Sequence, residues 1–261
     1  MNRLSIFLVV MLLTNFVKMI WGKPIDIHAD KTRLQLGSTF SWNQGNVDRL
    51  LWRNDLEFSH LYDFWGLSTS TSHMWGTFSG FQTENDLNSR NFGYLVPQNI
   101  VYPFVMYWAE TGLRRKIDAR HQGGLGGTFS PLSEKTMVFQ ISLMVSVERN
   151  FYNGVPYYND GNLRGNYGEI MRLTPRVFFR YGEQNKIQLT LELWYQMAVD
   201  SERDFRWHFE GGLEIPLSVS IHLRLIGIYH FESTVPLRVL RNDSMILAGA
   251  SYKFFQKGDE Q

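Results

Sequence analysis

The stretch Lys186-Ile187-Gln188-Leu189-Thr190-Leu191-Glu192-Leu193-Trp194-Tyr195-Gln196-Met197 decides the fold class. Ile187, Leu189, Leu191, Leu193, Tyr195 and Met197 fall on one parity, and Lys186, Gln188, Thr190, Glu192 and Gln196 on the other. A period of two marks a β-strand with one apolar and one polar face. The next run repeats it, with Phe205, Trp207, Phe209, Leu213 and Ile215 set against Arg206, His208, Glu210 and Glu214.

Working outward, the same reading gives twelve strands, near 31–43, 49–62, 65–78, 86–96, 101–113, 118–130, 136–149, 166–181, 186–198, 204–215, 218–231 and 243–255. Most exceed the roughly 9–11 residues that a tilted strand needs to cross a hydrocarbon layer. The connections at 97–99, 131–135, 182–185 and 216–217 are short and rich in turn formers. Those at 80–85, 150–165, 199–203 and 232–242 are mostly longer. Short turns alternating with longer loops, and an even strand count, predict an all-β, closed antiparallel transmembrane β-barrel of about twelve strands in an up-and-down meander.

Magnitude decides which face meets lipid. In 166–181, Arg172, Arg176 and Arg180 share a parity with Thr174, opposite Met171, Leu173, Val177, Phe179 and Tyr181. An Arg at the lipid midplane costs about 2–4 kcal/mol, so the polar parity is expected to face a wet interior. The same sorting turns Arg53, Asp55, Glu57, Glu148, Glu192, Arg206, Glu210, Glu214 and Arg224 inward, as a charged lumen wall. In a soluble barrel the apolar parity would fill the inside, but twelve strands enclose a lumen too wide for a dry core.

Composition agrees. The chain of 261 residues is long enough for one large all-β domain, and nothing resembling a linker divides it. A net charge of +1 offers no field for a polyanion, so no nucleic-acid partner is expected. There are no cysteines, which excludes disulfides and thiolate metal sites. Aromatics make up 15% of the residues, as interfacial girdles require. Met1 to Arg3 supply a positive start and Leu4 to Val17 an apolar core, so residues 1–22 read as a secretory signal peptide. The expected organisation is then a lead over 23–30, a barrel over 31–255 and a polar tail over 256–261. The expected location is the outer membrane of a Gram-negative-type cell.

Gly45-Asn46 with Trp52-Arg53-Asn54-Asp55-Leu56, Thr83-Glu84-Asn85-Asp86 with Ser89-Arg90-Asn91-Phe92, Tyr102-Pro103-Phe104, the stretch from Glu110 to Asp118 and the glycine-rich Gln122 to Gly127 carry a resemblance. They resemble a bacterial outer-membrane family of unknown function described as salt-induced outer-membrane proteins. The resemblance implies an outer-membrane barrel with no established chemistry, and no site residues can be carried over from it. The last strand ends on Tyr252 and Phe254, similar to the aromatic end that barrel-insertion machinery reads in such proteins.

Three functional readings follow. The first is a structural or porin-like channel protein, not an enzyme and without a cofactor, passing ions or small polar solutes along the charged lumen. The second is a rim hydrolase of lipid or peptide, for which His208, His222 and His230, at polar parity on adjacent strands, are the candidate group. The third is a surface interaction protein using the tyrosine-rich loop 150–165. Partners expected from the sequence are outer-membrane lipid and lipopolysaccharide, with Arg114, Arg115 and Lys116 as candidate phosphate contacts. Glu110 and Asp118 flank that cluster and are the alternative partners for its charge. Gly123-Gly124-Leu125-Gly126-Gly127 lacks phosphate-loop spacing and reads as small residues easing a barrel bend or leaving room for bulky lumen neighbours.

Overall fold

The computed structural model describes residues 32–43, 48–154, 156–157, 166–183 and 186–256. The expected signal peptide and lead, Gly45-Asn46, much of the 150–165 loop and the residues beyond Gln256 lie outside the described residues. Twelve strands close into a barrel: β1 (Thr32–Asn43), β2 (Arg49–Leu61), β3 (Trp65–Phe78), β4 (Phe81–Leu95), β5 (Val101–Gly112), β6 (Ile117–Ser133), β7 (Met137–Tyr152), β9 (Tyr167–Tyr181), β10 (Gln188–Ala198), β11 (Phe205–Pro216), β12 (Ile221–Glu232) and β14 (Asn242–Gln256). Each pairs antiparallel with its neighbours along the chain, and β1 pairs with β14 from Thr32↔Gln256 to Phe40↔Ala248. Closure leaves no free edge, so every spanning strand has its backbone groups paired on both sides.

Two short strands, β8 (Pro156–Tyr157) and β13 (Val235–Pro236), pair with each other outside the barrel. They belong to the connections after β7 and β12, which therefore meet over one end. The start of β1, the end of β14 and the connections 62–64, 96–100, 134–136 and 217–220 lie at the opposite end, as do 182–183 and 186–187.

One boundary differs clearly from expectation. The polar run Thr83-Glu84-Asn85 reads as loop, yet β4 begins at Phe81 and the β3–β4 connection is only Ser79-Gly80. Both residues have positive φ (49° and 81°), the mirror-image turn that matches strand twist. A register shift at Gly76/Thr77 then absorbs the odd residue and lets the polar run pair with β3. Glu84 is buried because it points inward, not because it caps a loop.

The alternation resolves as the lipid-cost argument requires. Leu143, Val145, Val147, Met171, Val177, Leu223, Leu225 and Ile246 are exposed on the outside, while Gln140, Ser142, Ser146, Glu148, Arg172 and Arg176 are buried inside. Strand β5 breaks the pattern, because both of its faces are apolar. Its inward residues Tyr102, Phe104, Met106 and Trp108 join Phe92, Tyr94, Met144 and Trp194 in a buried cluster within the lumen. Gly124 and Gly126 make room for it: a Cβ at Gly126 would lie 2.8 Å from Phe104 Cζ and 2.4 Å from the Leu143 carbonyl oxygen. The barrel interior thus has an aromatic side and an ionic side.

Candidate functional site: a braced, charged lumen

The inward charges meet across the lumen instead of pairing only with strand neighbours. Arg90 on β4 donates through Nη1 to Glu192 Oε2 on β10 at 3.0 Å, and Arg176 Nε donates to Glu192 Oε1 at 2.7 Å. Arg53 Nη2 and Arg90 Nη2 both reach Glu210 Oε2 at 3.5 Å. Arg224 links Asp55 (3.5 Å), Glu57 (3.1 Å) and Glu214 (3.1 Å), and Lys253 also donates to Glu214. Nearer the looped end, Glu148 is surrounded by Arg172 (3.0 Å), Arg120 (3.9 Å) and Arg206. Arg120 bridges to Glu232 at 2.7 Å.

The aromatic side is tied to the ionic side by guanidinium groups over rings. Arg176 lies 4.5 Å from the Trp194 centroid and 4.9 Å from Phe92, and Arg206 lies 5.4 Å from Trp108. Such contacts stabilise a cation where the ring replaces part of its hydration. Trp194, the apolar exception on the polar parity of its strand, is inside for this reason and is 1% exposed.

All twelve residues expected to form the charged wall are on the inner side of the barrel. Arg180 sits at the end of the lumen nearest the termini, donating to the carbonyl oxygens of Glu134 and Lys135 at 3.4 Å. Sequence reasoning missed Arg90, Glu110, Arg120, Asp204, Glu232 and Lys253, all of which join the network. For two of these a signal was present: Glu232 continues the parity of Arg224 and His230, and Lys253 that of Ser251.

The basic cluster divides. Arg115 turns back into the lumen to Glu110 and to Glu232 at 3.2 Å, and Arg114 pairs with Asp243 and, at 3.7 Å, with Glu84. Both arginines therefore have carboxylate partners within the protein. Lys116 stays at the rim, its ammonium 3.5 Å from the Leu237 carbonyl oxygen in the β12–β14 connection.

Of the three histidines, two come together. His208 and His230 face each other with Nδ1 atoms 3.1 Å apart, inside the lumen and not on an outer rim. His222 lies at the other end of β12, opposite Ser251 in the register. Asn150 and Tyr152, expected in a surface loop, belong to β7 and point inward, where Arg120 donates to both (2.6 and 3.4 Å).

Two small cavities remain. One of about 80 Å³ lies toward the looped end, bordered by Arg53, Asp86, Arg90, Arg114, His208 and Asp243 among others. A second of about 20 Å³ lies on the far side of Glu210, bordered by Phe178, Thr190, Glu192, Glu214 and Arg224. Glu210 borders both.

Comparison with solved structures places this architecture. The chain is similar to the NanC porin, with a TM-score of 0.52 at 10% identity over 85% of this chain and 100% of that one. Weaker likenesses include the translocator domain of autotransporter NalP from Neisseria meningitidis (TM-score 0.47, 12% identity, 88% and 90% covered) and the KdgM porin (0.43, 12%, 85% and 99%). No protein-family model matches the chain, and no curated protein does. At such identities the likeness concerns the fold: a closed antiparallel membrane-type barrel.

Proposed function

We propose that this protein is an outer-membrane, porin-like barrel that conducts small ions through a lumen constricted at Glu210, Arg53 and Arg90. The observation that carries the reading is the pair of cavities meeting at Glu210, each lined by charged side chains. Buried lumen donors support a hydrated path. Arg90 Nε and Arg206 Nη1 make no hydrogen bond within the protein, and a donor left so in a dry interior is costly. Rings of charged groups at a narrow point select ions and limit their rate. The cross-lumen ion pairs brace the same wall, so bracing and filtering coexist. We place the looped end outward and the termini in the periplasm. At the looped end, Lys116 is the member of the basic cluster that remains for lipopolysaccharide phosphate.

Planar-bilayer recording of the refolded protein tests the reading. Small conductance steps are expected, and Glu210→Ala is expected to raise their size severalfold and shift selectivity toward anions. No steps from either protein at any salt concentration would leave a closed structural barrel. A rim hydrolase would lose its activity on joint replacement of His208, His222 and His230, whereas conductance steps would persist.

A further inference from the structure

The outer wall is not uniform. From β7 round to β14 the outward residues between the aromatic ends are almost all aliphatic: Ile141, Leu143 and Val145 on β7, Leu173 and Val177 on β9, Leu223 and Leu225 on β12. On β2 to β4 they are not. Between the outward Trp65 and Trp75, strand β3 presents Leu67, Thr69, Thr71 and His73. The register sets these against outward polar groups: Asn54 opposite His73, Ser89 opposite Thr71, and Asn91 opposite Thr69. Thr69 and Thr71 are middle positions of a strand that carries a tryptophan toward each end, where a membrane-spanning strand meets the acyl chains.

Some of the groups satisfy one another. Thr71 Oγ1 and Ser89 Oγ are 3.0 Å apart, His73 Nε2 lies 3.0 Å from Asn85 Oδ1, and Asn91 Nδ2 donates to the Ser89 carbonyl at 3.2 Å. Thr69 Oγ1 is buried without a partner. Asn54 and His73 are exposed. The exposed Asn54 amide and His73 imidazole keep further hydrogen-bonding capacity that lipid cannot meet. A groove of about 720 Å³ opens beside the patch, running from Thr71, His73 and Asn54 across Leu36 on β1 to Ala250 and Tyr252 on β14.

We propose that the β2–β4 face is covered in the membrane by the same face of a second copy of this chain. The chemistry favours self-association. The patch carries no Asp, Glu, Lys or Arg, and it offers donors and acceptors in the same place, so it complements itself. All copies insert in the same orientation, so a two-fold axis along the membrane normal brings the two patches together, as an isologous interface requires. Small and polar side chains at a membrane interface let two walls approach closely and exchange hydrogen bonds. The proposal does not depend on conductance, since a closed barrel would carry the same wall.

The cysteine-free chain makes the test clean. Single cysteines are placed at Thr71→Cys on this face and at Leu193→Cys on β10, across the barrel, and oxidised in native membranes. Thr71→Cys is expected to cross-link into a dimer and Leu193→Cys to stay monomeric; should Thr71→Cys not fold, Ser89→Cys serves. The dimeric mass of the unmodified protein in mild micelles is expected to fall to the monomer in the folded variant Asn54→Leu/Thr71→Val/His73→Leu/Ser89→Ala. Equal cross-linking at both sites, cross-linking only to a different protein, a monomeric native protein, or a variant that remains dimeric would each overturn the proposal.

Discussion

Replacing Glu148 with Gln is expected to lower the stability of the barrel by about 3–5 kcal/mol, the cost of breaking a buried ion pair by removing one partner. Glu148 is fully buried and its two oxygens serve three guanidinium groups, of Arg172, Arg206 and Arg120. The amide keeps the shape and one acceptor but cancels the charge, leaving three cations facing one another. Arg172 retains Asp204 at 3.2 Å and Arg120 retains Glu232. Arg206 retains only the neutral Gln196 and Gln122 and so carries most of the loss. Urea unfolding in micelles measures it. Adding Arg206→Met to Glu148→Gln removes the orphaned cation and is expected to restore much of the stability. A loss below about 1 kcal/mol for the single variant would mean that water already screens these charges as it does at a surface.

Placing Arg at Leu143 is expected to cost about 2–4 kcal/mol, whereas Phe151→Arg on the same strand, near its looped end, should cost about 0–1 kcal/mol. Both side chains are exposed on the outer wall. Had that wall faced water, both changes would fall within about 0.5 kcal/mol of zero. The depth dependence separates lipid from water, and it is read from the same unfolding experiment after reconstitution.

How much of this was written in the sequence depends on the strand. Where one face is charged, as in β9 and β10, alternation placed the ends within a residue or two and assigned every charge its side. The physical reason is that the penalty for the reversed register is large. On β5 the residues Tyr102-Pro103-Phe104-Val105-Met106-Tyr107-Trp108 are apolar on both parities, so alternation carries no sign. The aromatic half of the lumen was therefore legible only through the glycine run, one of whose two readings was room for bulky lumen neighbours, and Gly126 does face Phe104. Polar residues misled in the opposite way at Thr83 to Asn85. A run that suits a loop lies in a strand because the Ser79-Gly80 turn and a bulge place it there. The partners of each charge were also illegible. Arg90 and Glu192 are a hundred residues apart in order of magnitude, and only closure of the barrel brings them to 3.0 Å.

The most direct measurement is a single-cysteine fluorophore scan along 171–179 with two quenchers, one confined to the acyl chains and one dissolved in water. Labels at 171, 173, 177 and 179 should respond to the lipid quencher alone, and labels at 172, 174 and 176 should escape it. Reversed alternation, or water quenching at every position, would contradict a barrel whose oily wall is its outside.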